Sequence, residues 1–454
     1  MYQTFTVKEK VKQIFFLLFP ILITQLGMYS MVFFNTIMSG RYGSSDLAGV
    51  AIGSSIWSPI FLGLSGILLA VSPISAQLFG EKNHKEITLT VKNGIYIGLV
   101  IGLLVIVSGF FLLDPILHLM NLPERVQEVA FQYLTGLSLG IIPLFVFNVL
   151  RSFIYALGKT RVVMVILILA LPVSLLFNFV LVFGYFGFPE LGGAGGGYAT
   201  SVTYWVILAV TAIIIKKQDP FSSYDIFKNF IDFSFSKCKE ILKIGVPMGL
   251  SSFFETSMFA VVTLLISRYN VTTIAAYQSA LNIVSFLYNI PIAISLAQTV
   301  LVGFEAGAKR YQDAKTYSWL GIFLAMMFAL VSGILVVFFR YEVAGLYSTE
   351  EAVISLTAHF LIFALFFQVA DSIQVTAQAA LRGYKDVNIS FIATLIAYWL
   401  ICLPAGYGLA NYTSLAARGY WLGLTFGLLA AGVFLSMRLI FIQRKFRELS
   451  TIVD

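Results

Sequence analysis

Residues 20–42 read PILITQLGMYSMVFFNTIMSGRY, and residues 247–269 read PMGLSSFFETSMFAVVTLLISRY. Each stretch opens on a proline, runs through apolar residues and closes on Arg-Tyr, and a shift of 227 positions lays one on the other. Each run is longer than the about 18 apolar residues that mark a helix able to cross the hydrocarbon core. The same shift pairs Ala48 with Ala275, Gly80 with Gly307 and Tyr133 with Phe360. Gap-free matches of this kind point to a duplicated half.

Outward from these two stretches the pattern continues. Apolar runs are expected to span near residues 14–38, 48–74, 91–113, 129–150, 162–186 and 194–215, then 242–267, 274–300, 316–339, 353–379, 390–410 and 418–441. The chain is 59% hydrophobic and 11% charged, whereas a soluble domain carries roughly a quarter charged residues. The runs are continuous rather than alternating segments of about ten residues, which excludes a transmembrane β-barrel. The expected fold is an all-α polytopic membrane protein with 12 transmembrane helices in two pseudo-symmetric six-helix bundles. The polar connection from Lys216 to Glu240 divides residues 1–225 from residues 226–454. Six spans per half give both halves one orientation, which predicts a relation about an axis along the membrane normal.

The net charge of +7 is an orientation signal rather than a nucleic-acid footprint. Basic residues stay on the cytoplasmic side. With both termini cytoplasmic, 24 of the 29 Lys and Arg fall inside, and only Arg41, Arg125, Arg268, Arg340 and Arg418 fall outside. Arg151 and Arg382 belong, in this reading, to cytoplasmic connections. Cys238, in a polar loop, and Cys402, in a span, have neither metal spacing nor a disulfide rationale.

Two acids stand apart from those in loops and at helix ends. Glu255 lies mid-span in helix 7 and Asp371 well inside helix 10. Ionisable groups at membrane depth are costly and face a bundle interior or an aqueous cavity. Such a carboxyl can alternate between protonated, sodium-bound and drug-bound states; as structural glue it would instead bond Thr256, Ser257, Ser372 or Gln374. Both are therefore candidate cation-coupling residues, holding Na+ if the coupling ion is sodium. Candidate cavity residues are Asn35, Asn178, Thr200, Gln278 and Asn282, with an interhelical seam as the competing role. Aromatic residues, 15% of the chain, suit a cavity for flat organic cations. No energy-coupling or enzyme motif appears: Gly158-Lys159-Thr160 ends like a phosphate-binding loop, but Phe153 stands where the motif requires glycine.

At this point the residues resemble a known family. The stretches 34–42 (FNTIMSGRY), 46–56 (DLAGVAIGSSI), 76–80 (AQLFG), 253–259 (FFETSMF) and 371–386, ending ALRGYKD, resemble the multidrug and toxic compound extrusion (MATE) family in its NorM-like bacterial branch. The resemblance implies two six-helix lobes that export cationic drugs and dyes in exchange for Na+ or H+, with Glu255 and Asp371 contributing to cation binding. Members commonly carry Asp in helix 1 where this chain has Asn35, and some place a second acid at Val182, so an N-terminal carboxylate pair is missing. The expectation is an antiporter, not an enzyme, without cofactor, working as a monomer among lipids in the bacterial inner membrane. Its partners would be small organic cations, not nucleic acid. The alternative is a flippase for a lipid-linked precursor of the same broad fold, which a basic cavity would favour.

Overall fold

The computed structural model describes residues 3–228 and 232–453; residues 229–231 of the polar connection lie outside the described residues. The first repeat comprises α1 (Val7–Tyr42), α2 (Ser44–Leu68), α3 (Val71–Gly80), α4 (His84–Leu119), α5 (Glu124–Ser138), α6 (Ile141–Ala156), α7 (Thr160–Phe183) and α8 (Gly193–Lys217). The second comprises α9 (Phe235–Ile266), α10 (Val271–Leu287), α11 (Asn289–Gly307), α12 (Tyr311–Phe338), α13 (Arg340–Gly345) and α14 (Glu351–Gly383). It continues through α15 (Asn388–Leu395), a π-helical turn (Ile396–Cys402), α16 (Leu403–Tyr412) and α17 (Ala417–Val453). Among the described residues, eleven helical segments are long and apolar enough to cross a membrane. The bent pair α5 and α6 makes the twelfth.

The shift of 227 holds element by element. Ser44, His84 and Glu124 open helices, and so do their counterparts Val271, Tyr311 and Glu351; Ala156 and Gly383 close them. Even the turn after α3 repeats, with Lys82 and its counterpart Lys309 both at φ 59°.

One departure has a clear cause. α5 and α6 meet at a 50° bend, whereas α14, their counterpart, is continuous. Ser201 Oγ on α8 donates to the carbonyls of Gly136 (2.6 Å) and Leu137 (3.1 Å), and Trp205 Nε1 donates to that of Leu139 (3.0 Å). Side chains from α8 thus satisfy carbonyls at the end of α5, and the helix breaks there. The counterparts of Ser201 and Trp205 are Leu428 and Gly432, whose side chains have no donor, and α14 is unbroken.

By internal contacts the chain forms two units, one of residues 20–249 and one of residues 3–19 with 250–453. The division falls at Pro20 in α1 and just past Pro247 in α9. In the second unit the foot of α1 is held on α12. Lys10 Nζ pairs with Asp313 at 2.9 Å and donates to the Thr4 carbonyl, while Thr4 Oγ1 bonds the Tyr317 hydroxyl at 3.0 Å. In the first unit the foot of α9 is held on α4 by Lys237 and Glu86 at 2.8 Å. Lys10 maps onto Lys237, and Glu86 onto Asp313, so the two clamps are one device used twice. Cys238, expected in a polar loop, sits buried in α9 instead, its Sγ 3.4 Å from Asn93 Oδ1. α9 begins at Phe235 because Ser234 N–H donates to the Asn93 side chain, fixing its entry.

Candidate functional site

The second unit gathers ionisable and phenolic groups from four elements. Glu255 lies two turns past Pro247 on α9, partly buried. Asp371, buried, lies on α14 with Gln374 and Arg382. Tyr288 stands at the joint between α10 and α11, and Tyr398 is carried by the π-helical turn. Glu255 and Asp371 are within electrostatic reach of each other, Arg382 is within reach of Glu255, and both tyrosines are within reach of both acids. The turn is seated on α9 beside Glu255: Trp399 Nε1 donates to the Phe254 carbonyl at 3.4 Å, and the two rings meet edge-on at 6.0 Å. A π-helical turn inside a span is rare and frequently functional.

The glue reading of the two acids can be checked bond by bond. Thr256 Oγ1 donates to the Ser252 carbonyl and Thr376 Oγ1 to that of Ser372, each back along its own helix. Ser372 Oγ and both polar atoms of Gln374 are buried without a hydrogen-bond partner, as are Tyr398 Oη and Arg382 Nε. Among the described residues, no hydrogen bond or ion pair engages either carboxylate. Buried polar atoms are seldom left unpaired. Two unengaged carboxylates, together with the unpartnered oxygens of Ser372, Gln374 and Tyr398, are chemically suited to a cation bound through oxygen.

The first unit holds Asn35, Asn178 and Thr200. Asn35 Nδ2 donates to the Gly196 carbonyl at 3.3 Å and approaches Thr200 Oγ1 at 3.5 Å, so Asn35 and Thr200 come together. Asn178 turns instead to Ser174 on its own helix, at 2.8 Å, leaving its Oδ1 buried and unbonded. On α10, Asn282 is exposed and donates to the Gln278 carbonyl at 2.9 Å. No metal-binding group of three His, Cys, Asp or Glu occurs among the described residues.

Two arginines fall elsewhere than sequence reasoning put them. α6 runs to Ala156 and α14 to Gly383, so Arg151 and Arg382 lie in the closing turns of helices rather than in the connections that follow them. Arg382 donates to Gln378 Oε1 at 2.9 Å. Arg151 donates to Met28 Sδ at 3.4 Å and lies 5.8 Å from the Phe147 ring centre. An arginine at the end of an apolar run reads as a loop residue. The overrun of helix beyond it was the missing signal.

The MatE family model matches residues 20–180 and again 247–407, at the same shift of 227. The chain is 51% identical over 446 residues to a "Probable multidrug resistance protein NorM" of Bacillus cereus, covering 98% of each chain. It is 48% identical over 448 residues to the protein of that name from Bacillus subtilis, covering 99% of each. Its fold is similar to that of the eukaryotic MATE transporter AtDTX14, with a TM-score of 0.86, 21% identity and coverage of 97% and 98%. It is also similar to a MOP superfamily transporter from Pyrococcus furiosus, with a TM-score of 0.88, 19% identity and coverage of 96% and 97%.

Proposed function

This chain belongs to the MatE family, and on that premise we propose that it is a multidrug efflux antiporter. It exports organic cations in exchange for Na+ or H+ by alternating access, with the coupling ion held at Glu255 and Asp371. The observation that carries the reading is the charge balance of the cluster. Two carboxylates against the Arg382 guanidinium leave one negative charge when both are ionised, at a depth where uncompensated charge is costly. One proton, one sodium ion or one monovalent organic cation each restores neutrality, so they are mutually exclusive occupants. Exclusive occupancy provides coupling if ion and drug favour different conformations, since a ligand shifts an equilibrium only by its differential affinity. Sodium, a hard cation, would take oxygen from the carboxylates and from the phenols of Tyr288 and Tyr398.

Asn35, Asn178, Thr200, Gln278 and Asn282 are proposed as cavity walls rather than ion ligands, since none carries charge. The protein would act as a monomer in the bacterial inner membrane, both termini cytoplasmic, with residues 1–225 and 226–454 as its lobes.

The test is efflux of a fluorescent organic cation from proteoliposomes under separately imposed sodium and proton gradients. Flux driven by one gradient and lost in Glu255→Gln and Asp371→Asn identifies the ion and its site. Flux unchanged in both variants removes the assigned mechanism. The flippase alternative has one observation on its side, the two interior arginines, and would be favoured by a parent protein that moves no cation but scrambles a lipid-linked phosphate.

A further inference from the structure

The polar connection fills a corner of the first repeat that the second repeat leaves open. After α8 ends at Lys217 the chain turns back over the start of α4, burying Phe221, Tyr224 and Ile226. His84 Nδ1 meets the Tyr224 hydroxyl at 2.9 Å, and Thr88 Oγ1 donates to the Tyr224 carbonyl at 2.9 Å. Lys92 Nζ donates to the Lys228 carbonyl and to Asp232, each at 2.7 Å. The counterparts of His84, Thr88, Lys92 and Lys217 are Tyr311, Lys315, Trp319 and Arg444. Here α17 runs on to Val453 instead of turning back, and between α12 and α17 lies a cavity of about 540 Å³.

Its lining is basic. Lys315 on α12 and Arg444 and Arg447 on α17 border it, and no described residue that lines it is acidic. Asp313, the nearest acid in sequence on α12, is already held by Lys10 at 2.9 Å. Lys315 and Arg444 have no ion pair among the described residues. Gln443, only 8% exposed, accepts from Trp319 Nε1 at 3.0 Å and leaves its own Nε2 without a hydrogen-bond partner. A buried amide donor is seldom left unpaired. The walls are fixed at both ends. The Trp319–Gln443 bond ties α12 to α17, and Phe446 of α17 packs on Tyr311 and Tyr384 with ring centres 5.1 and 5.4 Å away. Three cations and an unpaired amide N–H around one cavity are complementary to a phosphate, which arginine holds bidentately.

We propose that this cavity binds the phosphodiester headgroup of an anionic phospholipid. A free phosphate would meet the same cations, and what commits the site to lipid is its apolar surround. Tryptophan and tyrosine are favoured at headgroup level. One turn deeper along each helix, Phe323 on α12 and Met437 on α17 are 52% and 56% exposed, a surface for the acyl chains. Basic pockets between spanning helices on the cytoplasmic side take such headgroups, and the distribution of Lys and Arg makes this that side. The inference needs a membrane-spanning chain and does not rest on antiport.

Native mass spectrometry of the purified full-length protein, titrated with phosphatidylglycerol or phosphatidylcholine, reads how many lipids stay bound and how tightly. The parent is expected to hold one phosphatidylglycerol in preference to phosphatidylcholine. Lys315→Gln with Arg444→Gln should weaken that lipid by about fivefold for each cation removed, the scale of one basic residue at an anionic membrane surface. Lys8→Gln with Lys239→Gln, which removes two exposed lysines outside the cavity, should leave its affinity within about twofold. If the first pair does not fold, Arg447→Gln alone is expected to show a loss of about fivefold. No preference for the anionic lipid, or equal weakening by both pairs of substitutions, overturns the site. Displacement of phosphatidylglycerol by glycerol phosphate, with the phosphate bound in its place, assigns the cavity to a soluble anion and overturns the lipid assignment.

Discussion

At the scale of single residues, the site is defined by polar atoms that the fold leaves unpaired. Tyr398 Oη is buried without a hydrogen-bond partner, and an unsatisfied buried hydroxyl costs about 1–3 kcal/mol. Tyr398→Phe is therefore expected to melt at the same temperature as the parent or higher, while binding sodium or the coupling proton more weakly. A variant that melts lower and binds equally well would make the hydroxyl structural. Gly196 gives a prediction of the opposite kind. A methyl group there would overlap Asn35 Oδ1, and overpacking costs typically about 1–3 kcal/mol. Gly196→Ala should lower the melting temperature, and adding Asn35→Ala should recover much of the loss, because residues in contact are not additive. Additive losses would mean that the asparagine is not what the methyl group strikes. Glu255 and Asp371 were legible in the sequence because an acid inside an apolar run announces itself. Tyr288, Tyr398, Arg382 and Arg151 were not. Tyrosines are common throughout this chain, and arginines at the edge of a run look like loop residues, although α6 continues five residues past Arg151 and α14 still holds Arg382 in its last turn.

At the scale of elements, the positions of the spans could be read from hydrophobic runs, but what joins them could not. The bend between α5 and α6 comes from Ser201 and Trp205, more than sixty residues away, capturing carbonyls, a contact no local pattern encodes. The same holds for the paired clamps, although the shift of 227 that relates Lys10 with Lys237 and Glu86 with Asp313 was there to be extended. The Lys10 side chain is 4% exposed and that of Lys237 14%, with partners at 26% and 38%. Breaking an exposed pair costs about 1 kcal/mol at most, and breaking a buried one about 3–5 kcal/mol. Both clamps lie between these limits, with Lys10–Asp313 the deeper. Lys10→Ala should therefore lower the melting temperature more than Lys237→Ala. In each clamp, exchanging the two charges should restore part of what either single reversal loses. Equal, negligible losses from both alanine variants would reduce the clamps to solvated surface pairs.

At the scale of the whole molecule, the duplication produces two similar frameworks with different chemistry. Glu255 and Asp371 lie in the second repeat, and their counterparts in the first are Met28 and Leu144. What the repeats do share is a proline in the first helix of each, and the division between the two contact units falls at Pro20 and just past Pro247. A proline removes the hydrogen bond to the carbonyl four residues earlier and bends the helix, so each crossing helix is weakest where it changes allegiance. If the transport cycle requires these helices to flex there, stiffening them should slow turnover without disturbing the ion site several residues away. Pro20→Ala and Pro247→Ala are each expected to reduce the rate of gradient-driven efflux a fewfold, and the double variant to reduce it by about the product. Equilibrium binding of the coupling ion, measured on the same preparations, should stay within about twofold of the parent, the spread expected of distant, uncoupled sites. Undiminished turnover in the double variant would show that flexing at the prolines is not required. A parallel loss of ion binding would show that the prolines shape the Glu255–Asp371 pocket itself, and the two prolines would then differ, since only Pro247 shares a helix with Glu255.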